Sequence, residues 1–151
     1  MAADPRLAGY LARALAHEMG AVQQYLTQAT LAGRWGLAEY SARFRSDATE
    51  EMEHARRLIE RMLELGITPN ATQLATVRPG RNLVEMCEVD RALEVAAIAL
   101  YDEAARYSGR FRDTASQQLF TALRTDEEEH LRDLDVMLGR LQDQERHRAR
   151  A

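Results

Sequence analysis

Two stretches place a glutamate and a histidine three residues apart: Glu51 with His54, and Glu127 with His130. On a helix, residues three apart share a face one turn on, so each pair can reach a single point. A carboxylate oxygen and an imidazole nitrogen together suit a hard-to-borderline divalent metal. One Glu-x-x-His is weak evidence, because acidic helices produce the spacing by chance. Here it is repeated, and the repeat is larger than the motif. Glu18 precedes Glu51 by the same interval as Glu94 precedes Glu127, and Tyr25 and Tyr101 follow Glu18 and Glu94 by two helical turns each. The chain reads as two helical hairpins, each supplying one Glu and one Glu-x-x-His across a pseudo-twofold axis.

The four glutamates stand where core residues belong. The apolar lines run Leu11, Leu15, Glu18, Val22, Tyr25 in the first segment and Ala48, Glu51, Ala55, Leu58 in the second. In the third and fourth they run Cys87, Glu94, Ile98, Tyr101 and Leu123, Glu127, Leu131, Leu134. Burying an ionised carboxylate is costly unless it is paired or bound to metal. No matching set of four inward lysines or arginines exists, so metal is the economical solution. Four carboxylates and two imidazoles suit two ions, iron or manganese, with bridging carboxylates; a structural zinc uses fewer ligands and usually thiolates. The same ligand pattern is that of di-iron carboxylate bundles.

Long helices must position these residues. Asp4-Pro5 is a helix start, and the apolar step of three or four continues through Leu7 and Ala29 to Gly33. A second segment follows Gly36 and carries Phe44, Met62 and Leu65 before Gly66. The stretch from Ile67 to Arg81 holds two prolines and no sustained period, so it is a long connection. Asn82 caps a third helix ending near Gly109, and Asp113 or Thr114 caps a fourth with Phe120, Leu138 and Leu141 on its apolar face. The expected fold is all-α, an antiparallel four-helix bundle with one long crossover between helices 2 and 3. One domain is expected over residues 1–143, followed by a polar basic tail, 144–151, read as a frayed and solvated helix end.

Composition narrows the function. Acidic residues outnumber Lys plus Arg, 24 to 20, which argues against a nucleic-acid binder. The single cysteine, Cys87, excludes disulfide frameworks, cysteine zinc ribbons and rubredoxin-type iron, and fits a reducing compartment. MAADPRLAGY lacks the basic start and apolar run of a signal peptide, and the longest apolar run, Val95 to Tyr101, is too short to span a bilayer. A cytoplasmic protein with no membrane partner is expected.

With HEMGAVQQY around Glu18 and Tyr25, EEMEHARRLIERML, DRALE, DEEEH and Trp35-Gly36-Leu37, the chain resembles the bacterioferritins, of the ferritin-like superfamily, from about Leu7 to Leu141. The resemblance implies a ferroxidase that oxidises Fe(II) to Fe(III) with dioxygen or hydrogen peroxide, for iron storage and detoxification. It implies two Fe ions per chain: Glu51 and Glu127 bridging, Glu18 and His54 on one, Glu94 and His130 on the other. Tyr25 would be a nearby redox-active or hydrogen-bonding phenol. Met52 would ligate haem b shared between two subunits, a thioether being a suitable axial ligand; the plainer reading is a gap-filling methionine at a dimer contact. Met19, Val22, Leu26 and Met52 would form the apolar face of a twofold homodimer. The family's 24-subunit shell uses an apolar fifth helix, which QERHRARA does not provide. Glu53 stands beside Met52 where a basic residue is common, and Arg34, Ser46 and Arg132 lie near the expected iron routes. The alternative is a non-cage di-iron oxidase or rubrerythrin-like peroxidase acting as a dimer, although a missing CxxC counts against rubrerythrin proper.

Overall fold

Side-chain caps set where three of the four helices begin. In the computed structural model, which describes residues 2–151, Asp4 accepts a 2.8 Å hydrogen bond from the Leu7 N–H and opens α1 (Pro5–Arg34). Asn82 accepts one from the Glu85 N–H at 2.9 Å and opens α3 (Leu83–Arg110). Asp113 accepts from the Ser116 N–H at 3.0 Å and opens α4 (Thr114–Arg150). Each supplies an acceptor to an otherwise orphaned N–H of the first turn. The second helix, α2 (Ala38–Glu64), has no such cap. Its start is set by Gly36, whose φ of 76° lies in the left-handed region that glycine enters at no steric cost.

The short turns at 35–37 and 111–113 make α1–α2 and α3–α4 antiparallel hairpins. Packing is densest within each hairpin; between them, α1 meets α3 far more closely than α2 meets α4. Residues 65–82 form the crossover and contain no helix. Gln24 pins it to α1, donating to the Arg78 carbonyl at 2.7 Å and accepting from the Arg78 N–H at 2.9 Å. No strand occurs among the described residues. The expected all-α bundle with its crossover between helices 2 and 3 is the observed fold.

The apolar core comes in separate zones. One gathers Leu11, Leu15, Ala55, Leu58, Ala97, Tyr101, Phe120 and Leu123. Toward the other end lie Ala21, Tyr25, Phe44, Ala48 and Met86, with Cys87, Leu134 and Leu141 beside them. On every helix the change of zone falls at the inward glutamate: Glu18 between Leu15 and Ala21, Glu51 between Ala48 and Ala55, Glu94 between Cys87 and Ala97, Glu127 between Leu123 and Leu134.

Three details differ from the sequence-based reading. The buried line of α3 runs through Asp90 and Ala97, leaving Ile98 only half-buried. Val22 is buried within its own chain, so of the four residues expected on the dimer face only Met19, Leu26 and Met52 are exposed. The tail does not fray: α4 continues to Arg150, although every residue after Leu141 is exposed. Glu, Gln and Arg are good helix formers, and the Arg146–Asp143 ion pair one turn apart adds local support.

Leu58 is fully buried in the larger apolar zone. Leu58→Ala is expected to cost about 2–5 kcal/mol, from lost transfer energy and the cavity left behind. Urea unfolding of the metal-free protein, followed by circular dichroism, measures it.

Candidate metal centre

All six predicted ligands converge at the waist between the apolar zones. Glu18, Glu51, Glu94, Glu127 and His54 are buried, and His130 is half-buried. Ligand atoms of Glu18, Glu51, His54 and Glu127 lie within 4.8 Å of one another, and so do those of Glu51, Glu94, Glu127 and His130. Glu51 and Glu127 belong to both groups. His54 Nδ1 lies 2.7 Å from Glu127 Oε1 and 3.2 Å from Glu51 Oε2. His130 Nδ1 lies 3.2 Å from Glu51 Oε1 and 3.3 Å from Glu127 Oε2. The two rings stack with centroids 5.8 Å apart.

Each imidazole turns its other nitrogen outward to an acid. His54 Nε2 is 3.2 Å from Asp126, and His130 Nε2 is 2.5 Å from Glu50. Such partners hold the Nε2 proton and leave Nδ1 for a cation. Neither Asp126 nor Glu50 was singled out from the sequence. Each is the acid directly before a bridging glutamate, and that adjacency was the available signal.

The electrostatics divide the six residues into three kinds. Burial pushes Glu18 and Glu94 up, Glu94 to about 11, and neighbouring carboxylates add to it. Burial also acts on Glu51 and Glu127, but the polar groups packed against them, Glu18 and Glu94 first and then the imidazoles, outweigh it and hold both below the ordinary range. Burial disfavours charge on the imidazoles too, yet the carboxylates around them raise both, His130 to about 12. The carboxylates thus favour the charged form of each imidazole, and burial favours the neutral form of Glu18 and Glu94.

Phenols close the centre at each end. Tyr25 on α1 donates to Glu94 Oε1 on α3, and Tyr101 on α3 donates to Glu18 Oε1 on α1. A fifth buried acid, Asp90, accepts a 2.7 Å hydrogen bond from Gln28 Nε2 and is pushed well above its ordinary pKa by burial. It was missed in the sequence, although it stands one turn before Glu94 on the same helix face. Met52 does not join the centre. It is half exposed on the outer side of α2, where Glu53 beside it is paired with Arg56 at 2.9 Å.

The donor set fits metal on the evidence of its own unsatisfied atoms. Glu18 Oε2 is buried with no partner, and the Glu51 oxygens, His54 Nδ1 and Glu127 Oε1 are buried beside imidazole and carboxylate atoms without a well-formed hydrogen bond. Buried polar atoms are rarely left so, because each forfeits the hydration that it had when unfolded. Two divalent cations between them would satisfy the whole cluster.

Comparison with known proteins agrees with this geometry. Residues 8–143 match the ferritin-like domain. The bacterioferritin of Rhodobacter capsulatus is 36% identical over 139 residues, covering 92% of this chain and 86% of that protein. The bacterioferritin of Brucella melitensis is 35% identical over 141 residues, covering 93% and 88%. The solved structure of the R. capsulatus protein, described as having a metal-free dinuclear site and haem iron in a crystallographic special position, aligns with a TM-score of 0.91 over 95% of this chain and 89% of that one. Fold and site together define a ferritin-like carboxylate bundle. Within that class, the chain belongs to the bacterioferritin family.

The charge pattern dictates a pH dependence. Glu94 is raised from 4.5 to about 11 and His130 from 6.5 to about 12, so across those windows the folded chain holds protons that the unfolded chain has lost. The stability they contribute is complete below the unfolded values and is lost as pH rises through the folded ones. The melting temperature of metal-free protein should fall between about pH 6 and about pH 9, with a shallower slope in Glu94→Gln. Bound Zn(II) needs deprotonated ligands, so its stabilising increment should grow over the same range. Differential scanning calorimetry with and without Zn(II) measures both.

Proposed function

We propose that this protein is a ferroxidase that oxidises Fe(II) and stores or detoxifies the Fe(III) product. The observation that carries the reading is the sharing of Glu51 and Glu127 between two complete ligand groups. Glu18 and His54 would hold one iron, Glu94 and His130 the other, with the shared carboxylates bridging. Two Fe(II) ions supply two electrons, which with two protons reduce dioxygen to hydrogen peroxide, or hydrogen peroxide to two waters.

The chain's own residues hold the ions, orient the ligands and keep bulk water out. Anionic oxygens favour the ferric state, so they lower the free energy of the oxidised product relative to Fe(II). Asp126 and Glu50 keep the imidazole protons on Nε2, away from the ions. Tyr25 holds one oxygen of Glu94 and stands ready as a phenol beside the reacting pair. The protons displaced from Glu18, Glu94 and the imidazoles leave as the ions enter.

Met52 would serve as the ligand of a haem b shared with a second copy. It is 49% exposed, in the same molecule whose Met19 and Leu26 are also exposed. A twofold dimer would cover all three on both chains at once. The R. capsulatus relative, with haem iron in a crystallographic special position, supports this reading. The dimer would be the building unit of a 24-subunit shell in the cytoplasm; among the described residues no helix is long and apolar enough to cross a membrane. The domain would be residues 1–143, with 144–151 a helical basic extension.

Glu51→Ala removes a ligand from both positions. The rapid phase of Fe(II) oxidation should slow by at least about 100-fold, more than the loss of an outer hydrogen-bond partner costs. Stopped-flow absorbance of the ferric product reads it, and a retained rapid phase places the oxidation elsewhere. Haem should be present at one molecule per two chains and be lost in Met52→Leu by pyridine haemochrome assay. Sedimentation of the same preparations should show a shell; a species of two chains alone would point to the dimeric oxidase.

A further inference from the structure

The phenols at the two ends of the centre are related by the same pseudo-symmetry as its ligands, and they cross over. Tyr25 reaches from the helix of Glu18 to Glu94, while Tyr101 reaches from the helix of Glu94 back to Glu18. On the reading that the six residues hold two metal ions, we propose that Tyr101 is a positioning residue for the Glu18–His54 half of the centre, equivalent to Tyr25 in the Glu94–His130 half.

Three observations carry this. The Tyr101 ring is fully buried and stacked against Phe120 at 6.2 Å between centroids, so the direction of its hydroxyl is fixed by packing. The hydroxyl occupies Glu18 Oε1, and the second oxygen, Oε2, is buried with no hydrogen-bond partner. Oε1, held by the phenol, lies 3.7 Å from His54 Nδ1, and Oε2 has no partner in the chain and would be the oxygen free to meet an ion. Tyr25 does the same to Glu94, whose Oε2 faces the His130 side at 3.9 Å from Nδ1. With both phenols present the two metal positions are matched. Removal of either should weaken one position and spare the other.

The test is anaerobic titration calorimetry with Zn(II), together with crystals soaked with one equivalent of Co(II) and read by anomalous scattering. Tyr101→Phe keeps the ring against Phe120 and removes only the hydroxyl; its melting temperature establishes that it is folded. The wild type should bind two Zn(II) per chain at similar affinity. Tyr101→Phe should keep one such ion and bind the other about 10- to 100-fold more weakly, with Co(II) collecting at Glu94 and His130. Tyr25→Phe should show the reverse, with Co(II) at Glu18 and His54. Equal weakening at both positions in Tyr101→Phe, or an isotherm and occupancies like the wild type, overturns the proposal while leaving the metal centre intact. A wild type that takes up fewer than two Zn(II) overturns the centre itself, and the role of Tyr101 with it.

Discussion

Four glutamates buried in one layer of a small helical core are the constraint around which this molecule is arranged. Such a layer holds only if its charge is neutralised and its oxygens are satisfied. The protein does both in part with its own groups. Two imidazoles stand among the carboxylates, two phenols donate to the outer pair, and burial favours the neutral form of Glu18 and Glu94. The remaining demand is visible in Glu18 Oε2, which has no partner, and in Glu51 and Glu127 oxygens that make no well-formed hydrogen bond. Those atoms are the structural reason for reading the layer as a metal centre and not as a buried salt-bridge network.

The bundle is built to make that layer rigid. Apolar packing above and below fixes the height of each glutamate on its helix, and the hairpin turns fix which helices face each other. The phenols tie α1 to α3 at the layer itself. The long crossover lets the second hairpin run antiparallel to the first while bringing its Glu-x-x-His opposite the other, and Gln24 fastens that strap to α1. Four helices are the minimum that can present six ligands to two positions from all sides.

Much of this was legible in the residues, and for a physical reason. A charged residue on an apolar stripe is a local contradiction, and four such contradictions at equal spacing have few resolutions. Glu18, Glu51, His54, Glu94, Glu127 and His130 could all be placed by periodicity, as could the caps at Asp4, Asn82 and Asp113. What escaped depended on contacts between helices. Asp90 looked like an ordinary acid in DRALE, because the choice between Asp90–Ala97 and Ile98 as the buried line of α3 is made by how that helix is rotated against α1. Val22 reads from the sequence both as part of the buried line of α1 and as part of a dimer face, and the rotation of α1 settles it on the buried line. The tail lost its apolar stripe and so read as frayed, whereas helix propensity and a local ion pair carry α4 to Arg150 without a partner.

The make-up of the layer has a consequence far from it. Its four carboxylates carry four negative charges, and two divalent ions carry four positive ones, so a centre holding any such pair is electrically neutral. The field that the loaded protein projects into solution is therefore set by the arginines and acids of the outer helix faces. How copies of the chain, or other proteins, are drawn toward its surface from a distance does not depend on which divalent metal the layer holds.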